Sequence, residues 1–279
     1  MKARIIVDST SDLSPELKKR LYIVPLNVNF GEERYIDGVT IDNKTFYEKL
    51  EKCDALPTTS LASPAAFMDE YEKVAKAGES AVVITVASKL SGTYQSAVLA
   101  SNGYENIYVV DGGNVAIASG ILIELAIRLA DEGKSAEEIA KIVEEEKKKI
   151  VLIALVDTLD NLKKSGRISK TIAMAGGVLN IKPILTLIDG VIKMVSAARG
   201  LKMGYKMLVK EAEKLGGIDF SKPVLFGYTG LSDTSVCNFK DYSKSVWNER
   251  IVNVSYLLVG SVIGTHTGPG AIAIAFFIK

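Results

Sequence analysis

Short, continuous apolar runs alternate with helical patterns along the first half of the chain, and that alternation constrains the fold most. Arg4–Val7, Tyr22–Asn27, Ala81–Val86 and Ile107–Val110 read as strands, since β-branched residues fill them with little polar interruption. Ser14 and Pro15 open a helix after the first strand. The serine can accept from a first-turn amide, and proline at the first helical position loses no hydrogen bond. Ser63-Pro64 repeats that chemistry before a helix running to about Lys76. Further helices are expected from about Gly92, over Val115–Ala130, and after Ser135, the last ending in the charged face Glu144–Lys149. Strands apolar on both faces and joined by helices indicate a parallel sheet covered on both sides. Ligands bind such sheets beyond the carboxyl ends of the strands. Asp8-Ser9-Thr10, Ser88–Ser91 and Asp111-Gly112-Gly113 all fall there.

The character changes after the strand Val151–Val156. Asp157–Lys164 reads as a helix stopped by Gly166, and Ser169–Ala175 as a second helical stretch. Ile184–Ile188 and Val191–Ala197 flank Asp189-Gly190, a pair that signals a β-hairpin. Helices are expected over Tyr205–Leu215 and Thr234–Trp247, with strands at Pro223–Tyr228, Ile251–Leu258 and Ala271–Ile278. The expectation is a two-domain α/β protein. Residues 1–155 would form a three-layer α/β/α domain with a parallel sheet, and residues 156–279 a second α/β domain with a mixed sheet.

Charge excludes some partners. The 34 Lys and Arg nearly cancel the 33 Asp and Glu, whereas nucleic-acid binding wants a basic surplus. Cys53 and Cys237 are too few for a disulfide scaffold and too far apart for a CxxC pair, and His266 stands alone. No usual zinc set can be made from them, so no metal and no cofactor is expected. The apolar run near the start meets Asp8 at once and reads as a strand, not a signal peptide. Val115–Ala130 is the most membrane-like stretch, but Glu124 and Arg128 interrupt it. A cytoplasmic protein with at most transient membrane contact is expected. Its 48% hydrophobic content and mean hydropathy of +0.20 leave apolar side chains to spare for a pocket.

Several familiar signatures fail. Gly133-Lys134-Ser135 lacks the earlier glycine of a phosphate-binding loop, because position 128 is Arg128. Thr10 replaces the second carboxylate that Asp8-Ser9-Thr10 would need to act as an aspartyl phosphatase. No GxSxG elbow surrounds Ser91. A small-molecule hydrolase using Ser91 and His266 stays open, since such triads assemble across a chain.

Four polar clusters remain: Pro57–Pro64, Ser88–Tyr94, Ser165–Ser169 and Gly264–Gly270, the last read as a tight polar turn between two apolar strands. The second joins a hydroxyl, a glycine and a helix start, the ingredients of an anion site. Each also has a plain structural reading. Ser63 and Ser91 can simply cap helices, Arg167 can be a solvated arginine, and a lone histidine can be structural.

Taken together, VDSTSDL (Val7–Leu13), TTSLASP (Thr58–Pro64), SKLSGTYQSA (Ser88–Ala97), SGRIS (Ser165–Ser169) and THTGPG (Thr265–Gly270) resemble the DegV family of bacterial fatty-acid-binding proteins. The match follows the same order over essentially the whole chain. The resemblance implies a long-chain fatty acid buried between the two domains. A separate ATP-dependent fatty acid kinase would then phosphorylate it, so this chain would be a substrate-presenting subunit of phospholipid metabolism and not itself an enzyme. It also implies site roles. Thr59 and Ser91 match the hydroxyls on the carboxylate, Gly92 offers an amide, and Thr93, His266 and Thr267 lie close by. Arg167 and Arg199 match basic positions linked to transfer. The chain departs from the family where Leu61 and Ala62 stand in place of the usual Gln-Pro.

Overall fold

The computed structural model describes residues 3–169 and 180–279; the helical stretch expected at Ser169–Ala175 lies largely outside them. The first domain holds strands β1 (Ala3–Asp8), β2 (Tyr22–Val24), β3 (Asn27–Phe30), β4 (Glu33–Ile36), β5 (Thr58–Ser60), β6 (Ser80–Thr85) and β7 (Ile107–Asp111). Its helices are α1 (Pro15–Lys18), α2 (Asn43–Leu50), α3 (Pro64–Lys76), α4 (Thr93–Ala100), α5 (Ala116–Asp131) and α6 (Ala136–Glu146). Strands β2-β1-β6-β7 form an all-parallel sheet. Alternate residues feed opposite cores: Ile5 and Val7 pack with α5 and α6, and Ile6 packs with the Phe67, Tyr71 and Val74 face of α3. The expected caps form. The side chains of Ser14, Ser63 and Ser135 accept from Leu17, Ala66 and Glu138 amides.

The segment read as one strand, Tyr22–Asn27, is two. β2 pairs with β1, the chain turns at Pro25, and β3 joins β4 and β5 in a small antiparallel sheet. Proline carries no N–H for a ladder, which explains the break.

The second domain is a six-stranded mixed sheet, β10-β9-β8-β13-β11-β12, built from β8 (Ile150–Leu155), β9 (Ile181–Ile188), β10 (Val191–Arg199), β11 (Leu225–Tyr228), β12 (Tyr256–Leu258) and β13 (Ile272–Phe277). The β9–β10 hairpin turns at Asp189 and Gly190, whose φ angles are 50° and 72°. Both left-handed residues match the turn that the Asp-Gly pair predicts. After α7 (Asp160–Lys164), helices α8 (Leu201–Lys214) and α9 (Thr234–Trp247) cover the outer face.

Helix α5 lies between the two sheets and packs on β1 as well as β8, β11 and β13. It is apolar nearly all round because it is buried on both sides. No helix among the described residues is long and apolar enough to cross a membrane. The run that looked membrane-like is the central layer of the protein.

The region read as a polar turn at Gly264–Gly270 is largely helical. Helix α10 (Ser261–Thr267) runs into Gly268, which closes it at φ 72° with its N–H on Gly264 O. Long-range packing sets this short helix. A Cβ at Gly264 would lie 2.5 Å from Tyr47 Oη and 2.8 Å from a Phe46 ring carbon, so glycine lets the helix lie directly on α2. The strand expected at Ile251–Leu258 shrinks to β12, and its first expected residue instead ends a 3-10 turn at Asn248–Ile251.

Candidate functional site

Loops at the carboxyl ends of β1 and β6, together with β5, α7 and α10, enclose a cavity of about 290 Å³ between the two domains. Its walls include Thr10, Thr59, Ser91, Gly92, Arg167, His266 and Thr267. All four polar clusters thus contribute directly, the Ser165–Ser169 cluster through Arg167. Among the described residues, Arg167 supplies the one formal charge on the wall at neutral pH, so the cavity favours an anion.

Asp8 organises the near wall. Its buried carboxylate accepts from Thr10 N–H (2.9 Å) and Thr10 Oγ1 (2.6 Å) through one oxygen, and from Val86 N–H (2.6 Å) through the other. Burial raises its pKa, against the pull of those bonds. Thr10 and Val86 both line the cavity.

The hydroxyls are oriented by partners behind them. Ser91 Oγ accepts from Thr93 N–H at 3.3 Å and lies 2.9 Å from Thr93 Oγ1. With Thr93 as donor, the Ser91 proton is free to point into the cavity. Thr93 itself is fully buried and supports Ser91 from behind. Gly92 opens α4 at the wall, and a Cβ there would meet Leu61 Cδ2 at 3.0 Å. Leu61, one of the two departures from the family pattern, therefore packs over Gly92, and Ala62 is buried next to it in the chain. Across the cavity, Thr59 Oγ1 lies 2.9 Å from His266 Nε2. If Nε2 carries the proton, Thr59 accepts it and turns its own hydroxyl hydrogen inward. Thr267 lines the wall, but its hydroxyl donates to Ile263 O within α10 (2.9 Å). Arg199 ends β10 opposite Ile181, exposed and off the cavity wall.

A second, apolar cavity of about 80 Å³ adjoins the first. Val115, Leu162, Ile192, Ile263 and Thr267 line both. Its floor is the inner face of the six-stranded sheet, where the register sets small residues in one row. Gly227 lies opposite Ala273, Ala273 opposite Ala154, and Ala154 opposite Leu185. Sequence reading missed this tunnel, because its residues come from strands far apart along the chain. Gly227 inside an apolar strand was the one local signal, since an interior glycine often marks a close approach.

The DegV family profile matches residues 2–279. The chain belongs to the DegV family. A DegV domain-containing protein of Caldanaerobacter subterraneus is 36% identical, covering 99% of this chain and 98% of the relative. The solved structure described as fatty acid binding of a DegV family protein from Thermus thermophilus is 29% identical, with a TM-score of 0.87 and 100% of both chains covered. A stearic acid-binding protein from Eubacterium ventriosum is also 29% identical, with a TM-score of 0.82 over 98% of this chain and 97% of that one.

In this DegV protein the histidine is kept neutral. Burial lowers the His266 pKa to about 4, and the positive charge of Arg167 adds to the effect. Its Nδ1 is buried with no hydrogen-bond partner among the described residues. A hydrolytic triad needs a base hydrogen-bonded to the nucleophile and oriented by a carboxylate. Here His266 Nε2 meets Thr59 instead, Ser91 meets Thr93, and no carboxylate is bonded to His266 among the described residues.

Proposed function

We propose that this protein holds one long-chain fatty acid, with its carboxylate among Thr59, Ser91, Gly92, His266 and Arg167 and its acyl chain in the apolar tunnel. The observation that carries this reading is the adjacency of the two cavities, which share five lining residues: hydroxyl donors and a cation line one, and apolar side chains line the other. Burying about fifteen methylenes at ~0.8 kcal/mol each supplies on the order of 12 kcal/mol of gross driving force. An unpartnered carboxylate would cost several kcal/mol; charge-assisted bonds from the two hydroxyls offset that. Fatty-acid binding by the Thermus relative, and stearic acid binding by the Eubacterium one, agree with this reading.

The protein acts as a carrier that presents the acid to a separate ATP-dependent kinase. A carboxylate oxygen would attack the terminal phosphorus of ATP, ADP would leave, and an acyl phosphate would form. The chain has no phosphate-binding loop, so the partner supplies the nucleotide site. Arg167 stands where the head cavity meets an outer cleft lined by Ser88, Lys89, Gly166 and Ser169. That position suits neutralising charge during transfer. Arg199 is assigned to the surface that meets the kinase.

Isothermal titration of delipidated protein with hexadecanoic acid tests the reading. Saturable binding of one equivalent is expected. No uptake of any acid from twelve to eighteen carbons would overturn it.

A further inference from the structure

The segment that precedes His266 is held by the first domain at four consecutive residues. Asn43 Nδ2 donates to Leu258 O (3.1 Å), and the Tyr47 hydroxyl donates to Val259 O (3.1 Å). Gly260 N–H donates to Asp12 Oδ1 (2.9 Å), and Ser261 Oγ donates to Asp37 Oδ1. Asp12 and Asp37 are both buried, as is Ser261. Two carboxylates thus meet the start of α10, where the leading amides have no acceptor within the helix.

Burying these carboxylates is costly. Asp12 Oδ2 and the neighbouring Ser11 hydroxyl are buried without a hydrogen-bond partner among the described residues. Lys18, on α1, attracts both acids without bonding either, and Asp37 and Asp8 repel one another. Apolar side chains would seal the domain junction at less expense. What the carboxylates add is direction. They fix the start of a seven-residue helix whose last turn carries His266 and Thr267. Asp12 belongs to the same run as Thr10 on the head-cavity wall, and its N–H donates to Ala116 O beside the tunnel.

Resting on the fatty-acid reading above, we infer that Asp37 and Asp12 are positioning residues, which act through Gly260 and Ser261 to hold His266 where its Nε2 turns the Thr59 hydroxyl toward the ligand carboxylate. They touch no ligand themselves. Their effect falls on recognition of the head and leaves burial of the tail alone.

The test compares tetradecanoic acid with tetradecanol, which shares its tail and lacks the carboxylate. In Asp37→Ala the preference for acid over alcohol drops at least tenfold, while alcohol affinity stays within threefold of wild type. Asp37→Asn, which keeps an oxygen for Ser261, holds the wild-type preference within threefold. Ser261→Ala breaks the same bond from the helix side and lowers the preference, so it decides the matter if Asp37→Ala does not fold. Adding Asp37→Ala to His266→Ala lowers the preference no further, since both act through one side chain. Equal losses for acid and alcohol, or an unchanged preference in Asp37→Ala and Ser261→Ala, would overturn the inference. Wild-type protein that binds neither compound would instead overturn the fatty-acid reading itself.

Discussion

Replacing Ser91 with alanine separates the two tasks its oxygen performs. Toward the cavity, Ser91 offers a hydroxyl proton to an anion, and a charge-assisted bond of that kind is worth about 1.5–3 kcal/mol. Its loss raises the dissociation constant for hexadecanoic acid roughly 10- to 150-fold. Toward the interior, Ser91 Oγ accepts from Thr93. Its removal leaves a buried threonine N–H and hydroxyl short of an acceptor, at about 1–3 kcal/mol. At roughly 2–4 °C per kcal/mol for a chain of this size, the ligand-free melting temperature falls by several degrees. Titration calorimetry gives the first number and a thermal melt of delipidated protein the second. Affinity within twofold of wild type would refute the assignment of Ser91 to the carboxylate.

Three further outcomes follow from other parts of the structure. Ala273→Leu fills the middle of the tunnel floor. It should abolish binding of eighteen-carbon acids while leaving the ligand-free melting temperature unchanged or raised, as cavity filling does. Gly264→Ala drives a methyl group into Tyr47 and Phe46, an overpacking cost of about 1–3 kcal/mol visible as a lower melting temperature. Burial raises the Asp12 pKa from 3.8 to about 7. The folded state therefore binds more protons than the unfolded one between those values, and this group lowers stability as pH rises through them, by at most about 4 kcal/mol. Asp12→Asn should remove that slope from urea denaturation measured at pH 4 to 8.

The parts of the fold legible in the sequence were those that local chemistry decides. Ser63-Pro64 and Ser135 specify helix starts through bonds to neighbouring amides, and Asp189-Gly190 specifies its hairpin through its own φ preferences. Helix α10 was not legible, since Gly264 reads as a turn residue until Tyr47 and Phe46 pack against it. Nor were β4 and β5, which are short, polar and mostly exposed. Of the head-cavity residues, Thr10 and Ser91 showed at strand ends, where open α/β sheets bind ligands, while Thr59, Arg167 and His266 showed only as members of polar clusters elsewhere in the chain. Thr10 belonged to one of those strand ends, but its bond to Asp8 and its place on the wall emerged only in three dimensions. The tunnel needs the register of β11, β13 and β8 together, and no single stretch of chain encodes that.

Organic extraction of the purified, denatured protein followed by mass spectrometry tests the central claim most directly. Close to one fatty acid per chain is the expected result, with Thr59→Val and Ser91→Ala together reducing that occupancy. Protein that yields no fatty acid, and takes none up when incubated with a mixture of chain lengths, would contradict it.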